Sequence, residues 1–331
     1  MAVLGLRLFY IVDGDQIRST QVGSSGLRST IASVPKCQGI DQLAAAGHEL
    51  SYVVTSPGGT SSQAGGCGGP SAVSWSIWLL DLNDGSLRQI ASGVRDSSST
   101  EIARFPIHMA LTATAYAFDR PPPSAAGGPG ETVEVHSLDG RTLWTSRTAR
   151  SVVDVMLGGG TLAVLTDSVD PNGGSLDLWR SDAAHPDLRR VDEPASSASL
   201  SPDGSYLAWD LPPQPVEAAT APRPVVGIET LDPGTIQFQA TLTRTEAPAP
   251  RHPIVSATAH GLVLAWFATT PGGAVYPAFR YVGGGDGAVL PSLQQPVWMN
   301  VTGSTLVWVA ESADGSSKVA EAIDLSTLGL P

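Results

Sequence analysis

One apolar run recurs along the chain and limits what it can fold into. The copies are residues 6–12 (LRLFYIV), 50–54 (LSYVV), 112–118 (TATAYAF), 162–166 (LAVLT), 206–209 (YLAW), 262–267 (LVLAWF) and 306–309 (LVWV). They stand roughly 40 to 65 residues apart, the period of repeat architectures rather than of a single packed sheet. Each is too short for an ordinary helix, and each is rich in β-branched and aromatic residues, which suit strands.

The surroundings of the runs repeat as well. A shorter segment of small residues comes first, as at 196–200 and 254–259 (IVSATA). A hairpin follows: 77–85 (IWLLDLNDG) into 86–91 (SLRQIA), 133–140 (VEVHSLDG) into 141–146 (RTLWTS), and 228–234 (IETLDPG) into 235–242 (TIQFQATL). Asp-Gly and Pro-Gly pairs favour such turns because they tolerate the backbone angles a tight reversal requires. The unit is therefore four strands. With 36 glycines and 26 prolines in 331 residues, the composition suits many short strands joined by turns.

Four strands per unit, repeated along the chain with no helical stretch, predict an all-β fold: a single β-propeller over residues 1–331, of seven four-stranded blades, with six as the alternative count. The expected blades are 1–33, 35–93, 101–149, 151–192, 196–244, 251–290 and 295–331. Residues 1–12 read as one strand, so that the first blade starts at its second strand. A two-sheet sandwich would explain the strands but not the recurring unit.

Residues 199–209 (SLSPDGSYLAW) resemble the WD40-like (PD40-type) repeat of TolB-type propellers, in which a Ser-Pro-Asp-Gly turn joins the first strand to the next. Residues 77–91 resemble the outer hairpin of that repeat. The resemblance implies the propeller fold. Its nearest class is extracytoplasmic or cell-envelope binding proteins, and some hydrolases carry such a propeller as an accessory domain. One fold hosts many functions, so the likeness bears on architecture more than on activity.

Charge narrows the partners. The net charge is −12, and of 19 basic residues only Lys36 and Lys318 are lysines. Nucleic-acid binding needs clustered cations against phosphates, so a nucleic-acid partner is not expected. The Arg-over-Lys skew fits the coding bias of a GC-rich bacterial genome, with halophilic adaptation as the other reading. No stretch reaches the apolar length of a membrane helix. The apolar start of the chain is short and carries Arg7, and it lacks the cleavage pattern of a signal peptide.

In a propeller, the connections between second and third strands and those between successive blades emerge on one face. The longest connections, 56–75, 120–131 and 211–224, fall there, and long connections often carry function. Cys37 and Cys67 lie in two such connections of the second blade. A disulfide between them would contribute roughly 3–4 kcal/mol in the chain-entropy account and would imply an oxidising compartment. Lys36, Arg104, Arg150 and Arg251 precede strands at blade junctions, with His252 beside the last, and could present a ring to anions. Trp298 and His108 complete the candidate binding residues. His108, Asp154 and Asn300 are the first-strand candidates for a catalytic cluster.

Signatures of catalysis are missing. There is no G-x-S-x-G elbow, no phosphate loop and no H-E-x-x-H. Residues 12–16 (VDGDQ) and 81–85 (DLNDG) carry carboxylates but lack the other ligands of a calcium loop. No metal or other cofactor is expected. The sequence reading is a monomeric, extracytoplasmic binding or scaffold module, recognising a protein, peptide or glycan through its long-loop face. The alternatives are a cytoplasmic location, and a propeller hydrolase or lyase acting on a sugar or lactone.

Overall fold

Each apolar run is the second strand of an antiparallel meander. The computed structural model describes residues 1–23, 28–58, 72–96, 107–120, 130–167, 176–191, 195–210, 225–230, 238–241, 251–269, 274–282, 287–290, 292, 294–312 and 318–328. For residues 57, 58, 72, 95, 96, 225–230, 238–241, 251, 252, 269 and 287, the backbone alone is described. Six four-stranded sheets span 2–33, 39–96, 109–147, 152–190, 198–241 and 251–289, and a three-stranded sheet spans 295–324. In every sheet the strands lie side by side in chain order. The fold is an all-β propeller.

Among the described residues the complete blades number six, the alternative count, since the seventh sheet has three strands there and runs into a 3-10 turn at Leu325–Leu328. One expectation changes. The first sheet is complete from its first strand. Ala2–Leu4 pairs with the strand Arg7–Val12, and the two are separated by a turn at Gly5, whose φ is +57°. A glycine can take that angle at low cost, which is what lets a continuous apolar stretch fold back on itself.

The second strands are so apolar because both of their faces are covered. Ala115–Arg120, Thr161–Asp167 and Thr305–Glu311 are each buried over five consecutive residues. By contrast, the fourth strand Thr142–Arg147 alternates exposed and buried positions, as an edge strand with one solvated face should.

By its internal contacts the chain forms two compact units, residues 1–155 with 183–187, and residues 156–182 with 188–331. In the first, Leu50, Tyr52 and Val54 face the first sheet and pack with Phe9 and Ile17. Val53, between them in sequence, faces the other way and packs with Ile77, Tyr116 and Phe118. The second unit repeats the arrangement. Val263, Ala265 and Phe267 pack with Leu306 and Trp308 of the seventh sheet, while Leu264, Trp266 and Ala268 pack with Ala208 of the fifth. This period-2 division is the pleat of a strand held between two neighbours. Each large side chain removed from water in these interfaces contributes about 1.5–3 kcal/mol.

The Ser-Pro-Asp-Gly turn shows how a junction is fixed. Ser201 Oγ and the Ser205 N–H both donate to Asp203 Oδ1, and the Tyr206 N–H donates to Ser201 Oγ. Burial would raise the Asp203 pKa, but the bonds from Ser201 and Ser205 outweigh it and hold the carboxyl below its ordinary value. The turn seats on the glycine run of the fourth sheet, where the Gly159 N–H donates to the Pro202 carbonyl at 3.0 Å. A Cβ on Gly204, whose φ is +74°, would lie 2.1 Å from the Gly158 carbonyl oxygen.

Candidate functional site

The connections between second and third strands lie at the sheet ends where first strands begin and second strands finish. At that end of the third sheet, three carboxylates act on His108. The residue sits just before the first strand, Met109–Leu111, and Asp119 sits near the end of the second strand, Ala115–Arg120. Antiparallel pairing of Met109 with Phe118 brings the two together. The His108 N–H donates to Asp119 Oδ1, and Nδ1 of the same ring stands 3.4 Å from Asp119 Oδ2. The next N–H, of Met109, donates to Gln42 Oε1 of the second sheet at 3.0 Å, which ties the site to its neighbour.

Glu131 and Asp154 complete the electrostatic environment. Glu131 is buried and accepts the Val152 N–H through Oε2 at 2.8 Å, which fixes where the fourth sheet starts. Burial is the largest influence on His108 and favours its neutral form. The hydrogen bond and charge of Asp119, with the charges of Asp154 and Glu131, outweigh it, and the net pKa is raised. His108 is therefore a nearly buried imidazole, 8% exposed, whose protonated form is stabilised by carboxylates.

A second network lies on the same strands. Arg120 donates to Glu134 through Nε at 2.7 Å and Nη2 at 3.3 Å, a forked pair that holds the guanidinium plane. Its guanidinium carbon also lies 5.4 Å from the Phe118 ring centroid and 5.8 Å from that of Trp75. His136 Nε2 bonds to Glu134 Oε2 at 3.0 Å, and its ring stacks on Tyr116 and Phe118. Burial raises the Glu134 pKa, but the bonds from Arg120 and His136 outweigh it and the net shift is downward.

The residues singled out from sequence are scattered by comparison. His108 and Asp154 do come into one electrostatic group. Lys36 is exposed before the second sheet's first strand, Gly39–Ala46, and Arg150 is half-buried before Val152–Gly158. Trp298 is half-buried on the strand Gln295–Thr302 and pairs with Val309. Arg104 and Cys67 lie outside the described residues, as do the side chains of Arg251 and His252. Cys37 takes a left-handed φ of +75° in the turn before the second sheet. The group around His108 is built from carboxylates.

Sequence reasoning passed over Asp119, Arg120, Glu131 and Glu134. For Asp119 a signal existed: the stretches Ala117-Phe118-Asp119 and Ala208-Trp209-Asp210 both put a carboxylate straight after the apolar run. Asp210 does similar work in the fifth sheet, where its Oδ1 accepts the N–H groups of Ser196 and Ser197 and its Oδ2 accepts the Ser196 hydroxyl.

No family model matches the chain, and no curated protein does. Solved structures do match. A prolyl endopeptidase, from work on two such enzymes, is similar at 13% identity and a TM-score of 0.59, over 97% of this chain and 47% of that one. The β-propeller domain of the Trilobed protease from Pyrococcus furiosus, described as having an open velcro topology, is similar at 10% identity and 0.52, over 90% and 98%. An oligogalacturonate lyase in complex with manganese is similar at 12% and 0.52, over 86% and 74%. At such identities the likeness is one of fold alone. The chain spans about half the length of that prolyl endopeptidase and of an acylaminoacyl peptidase from Pyrococcus horikoshii, which is similar at 10% identity and a TM-score of 0.51. TolB from Acinetobacter baumannii is matched at a TM-score of 0.42 and 14% identity, over 76% of this chain and 61% of that one.

Proposed function

We propose that the chain is a non-enzymatic binding module, recognising a protein, peptide or glycan at the sheet ends that carry its long connections. The observation behind this reading is an asymmetry of connection length. Second and third strands are joined through residues 59–71, 121–131 and 211–224, whereas the opposite ends of several sheets turn in two residues, at 47–48, 159–160 and 303–304. Propeller stability does not require long connections at one end only, and long connections in compact domains are usually functional or linkers. Lys36, Arg120 and Arg150 lie at the ends that carry them.

The hydrolase or lyase reading draws support from the carboxylates around His108. Against it, that ring presents Nδ1 to Asp119 and leaves little surface for a substrate. A general acid or base must come within hydrogen-bond reach of the group it serves.

The proposal extends to a monomeric, extracytoplasmic protein with a Cys37–Cys67 disulfide. Cys37 precedes the second sheet, and Cys67 falls in the 59–71 connection of the same sheet.

The test is a pull-down from a bacterial envelope fraction with three baits: the intact chain, a variant with residues 121–129 replaced by a short Gly-Ser link, and His108→Gln. A partner retained by the intact chain and by His108→Gln but lost with the replaced connection supports the binder. Turnover of an oligosaccharide or lactone panel that His108→Gln abolishes would establish the enzyme instead.

A further inference from the structure

At the opposite end of the second sheet, three ligand-bearing side chains converge that the sequence separates. His48 occupies the two-residue turn between Gly39–Ala46 and Glu49–Gly58, Glu49 opens the latter strand, and Asp81 closes the strand Ala72–Asp81. Glu49 and Asp81 are directly paired across the ladder. The Leu82 N–H donates to the His48 carbonyl at 2.8 Å, so the first turn is tied to the second. One ligand atom from each of the three residues lies within 4.8 Å of the other two, and this is the one such group among the described residues. His48 Nε2 is 3.5 Å from Asp81 Oδ2 and 3.8 Å from Glu49 Oε1.

The arrangement is costly as it stands. Like charges directly opposite in an antiparallel pair repel. Glu49 is only 9% exposed, and its Oε2 is buried without a hydrogen-bond partner. A buried carboxylate oxygen left unpaired carries a desolvation penalty that a built structure normally offsets. Asp81 is already oriented as a ligand should be, because its Oδ1 accepts the Asn83 N–H at 2.7 Å.

We propose that His48, Glu49 and Asp81 form a zinc-class divalent-cation site. An imidazole with two carboxylates suits zinc, whose bonds of about 2.0–2.2 Å place tetrahedral ligand atoms about 3.4 Å apart. The His48 separations of 3.5 and 3.8 Å come close to that spacing, and all three ligand atoms lie within 4.8 Å of one another. Three protein ligands leave a fourth position open to water. A cation there would satisfy Glu49 and remove the repulsion with Asp81 together. The site is separate from the binding edge and does not depend on that reading.

The experiment is calorimetric titration of the chelator-treated, redialysed chain with zinc, and in parallel with calcium and magnesium, for wild type, His48→Ala, Glu49→Gln and Asp81→Asn. Far-ultraviolet circular dichroism of each variant confirms its fold, and His48 is exposed enough that its replacement leaves the core alone. One equivalent of zinc is expected in wild type, with affinity at least about tenfold weaker in each variant, since even residues that only orient a ligand are worth that much. Zinc should also raise the melting temperature of wild type but not of His48→Ala. The proposal is overturned if wild type takes up no zinc, if uptake is unchanged in His48→Ala, or if calcium binds in preference.

Discussion

Replacing Asp119 by Asn changes one atom type at the centre of the His108 group and leaves its shape intact. In the wild type the carboxylate accepts the His108 N–H and faces the ring at 3.4 Å. A hydrogen bond to a charged acceptor contributes about 1.5–3 kcal/mol and a neutral one about 1, so the amide should cost roughly 1 kcal/mol through the backbone contact alone. The larger effect runs through the imidazole. Its folded pKa is raised above the ordinary value of 6.5, so its stabilising contribution is complete below that value and disappears as pH rises through the folded pKa. Asp119 supplies the two largest influences that oppose burial. Without them the pKa falls, and each unit of the fall removes about 1.4 kcal/mol from the low-pH side only. The penalty should therefore be about 1 kcal/mol at pH 8.5 and approach the roughly 3–5 kcal/mol of a broken buried pair at pH 5.5. Urea denaturation at the two pH values measures the difference, and a nuclear magnetic resonance titration of the His108 ring gives the pKa directly. A penalty equal at both pH values, or larger at pH 8.5, would refute the account of what holds this site.

Other outcomes follow from the same structure. Gly204→Ala should cost about 3 kcal/mol or more in urea denaturation, from a left-handed angle and a backbone clash together. Gly14→Ala has a comparable φ of +78° but open space around it, and should cost only about 1–2 kcal/mol. Glu134→Gln should destabilise at neutral pH, because a lowered folded pKa gives stability that is present above the unfolded value and lost as pH falls through the folded one; the loss should shrink steadily in melts taken toward pH 3. For Cys37 and Cys67, mass spectrometry of non-reduced peptides from the native compartment should find them linked, and two free thiols would reject the disulfide.

The propeller was legible because its geometry forces the composition of one strand in four. A second strand lies between two neighbouring sheets and must be apolar on both sides, so 162–166 and 306–309 stand out without any alignment. Fourth strands such as Thr142–Arg147 meet solvent on one side and leave a weaker trace. The stretch 1–12 misled for a related reason: a lone glycine at +57° reverses the chain without interrupting its hydrophobicity. Sites are harder to read, because they depend on register. Nothing in the spacing of His48 and Asp81 announces that Glu49 and Asp81 are cross-strand partners.

Register also separates what the fold requires around His108 from what this sheet adds. Asp119 and Asp210 each stand at or next to the end of a second strand, after an alanine–aromatic pair, and each bonds back to the chain as it enters the first strand. In the fifth sheet the capped residues are serines, which present N–H groups and one hydroxyl. The capping carboxylate is therefore architectural: it satisfies backbone donors at a point where the ladder has not yet begun. The third sheet meets the same requirement and then places an imidazole against the carboxylate, with Glu131 and Asp154 close enough to shift its pKa. A buried histidine is a costly way to fill such a position when a serine suffices. The imidazole and the two further carboxylates, rather than Asp119, are where a role specific to this sheet should be sought. Comparing His108→Ser with Asp119→Ser makes the distinction measurable: the first should leave stability at pH 8.5 near that of the wild type, and the second should not.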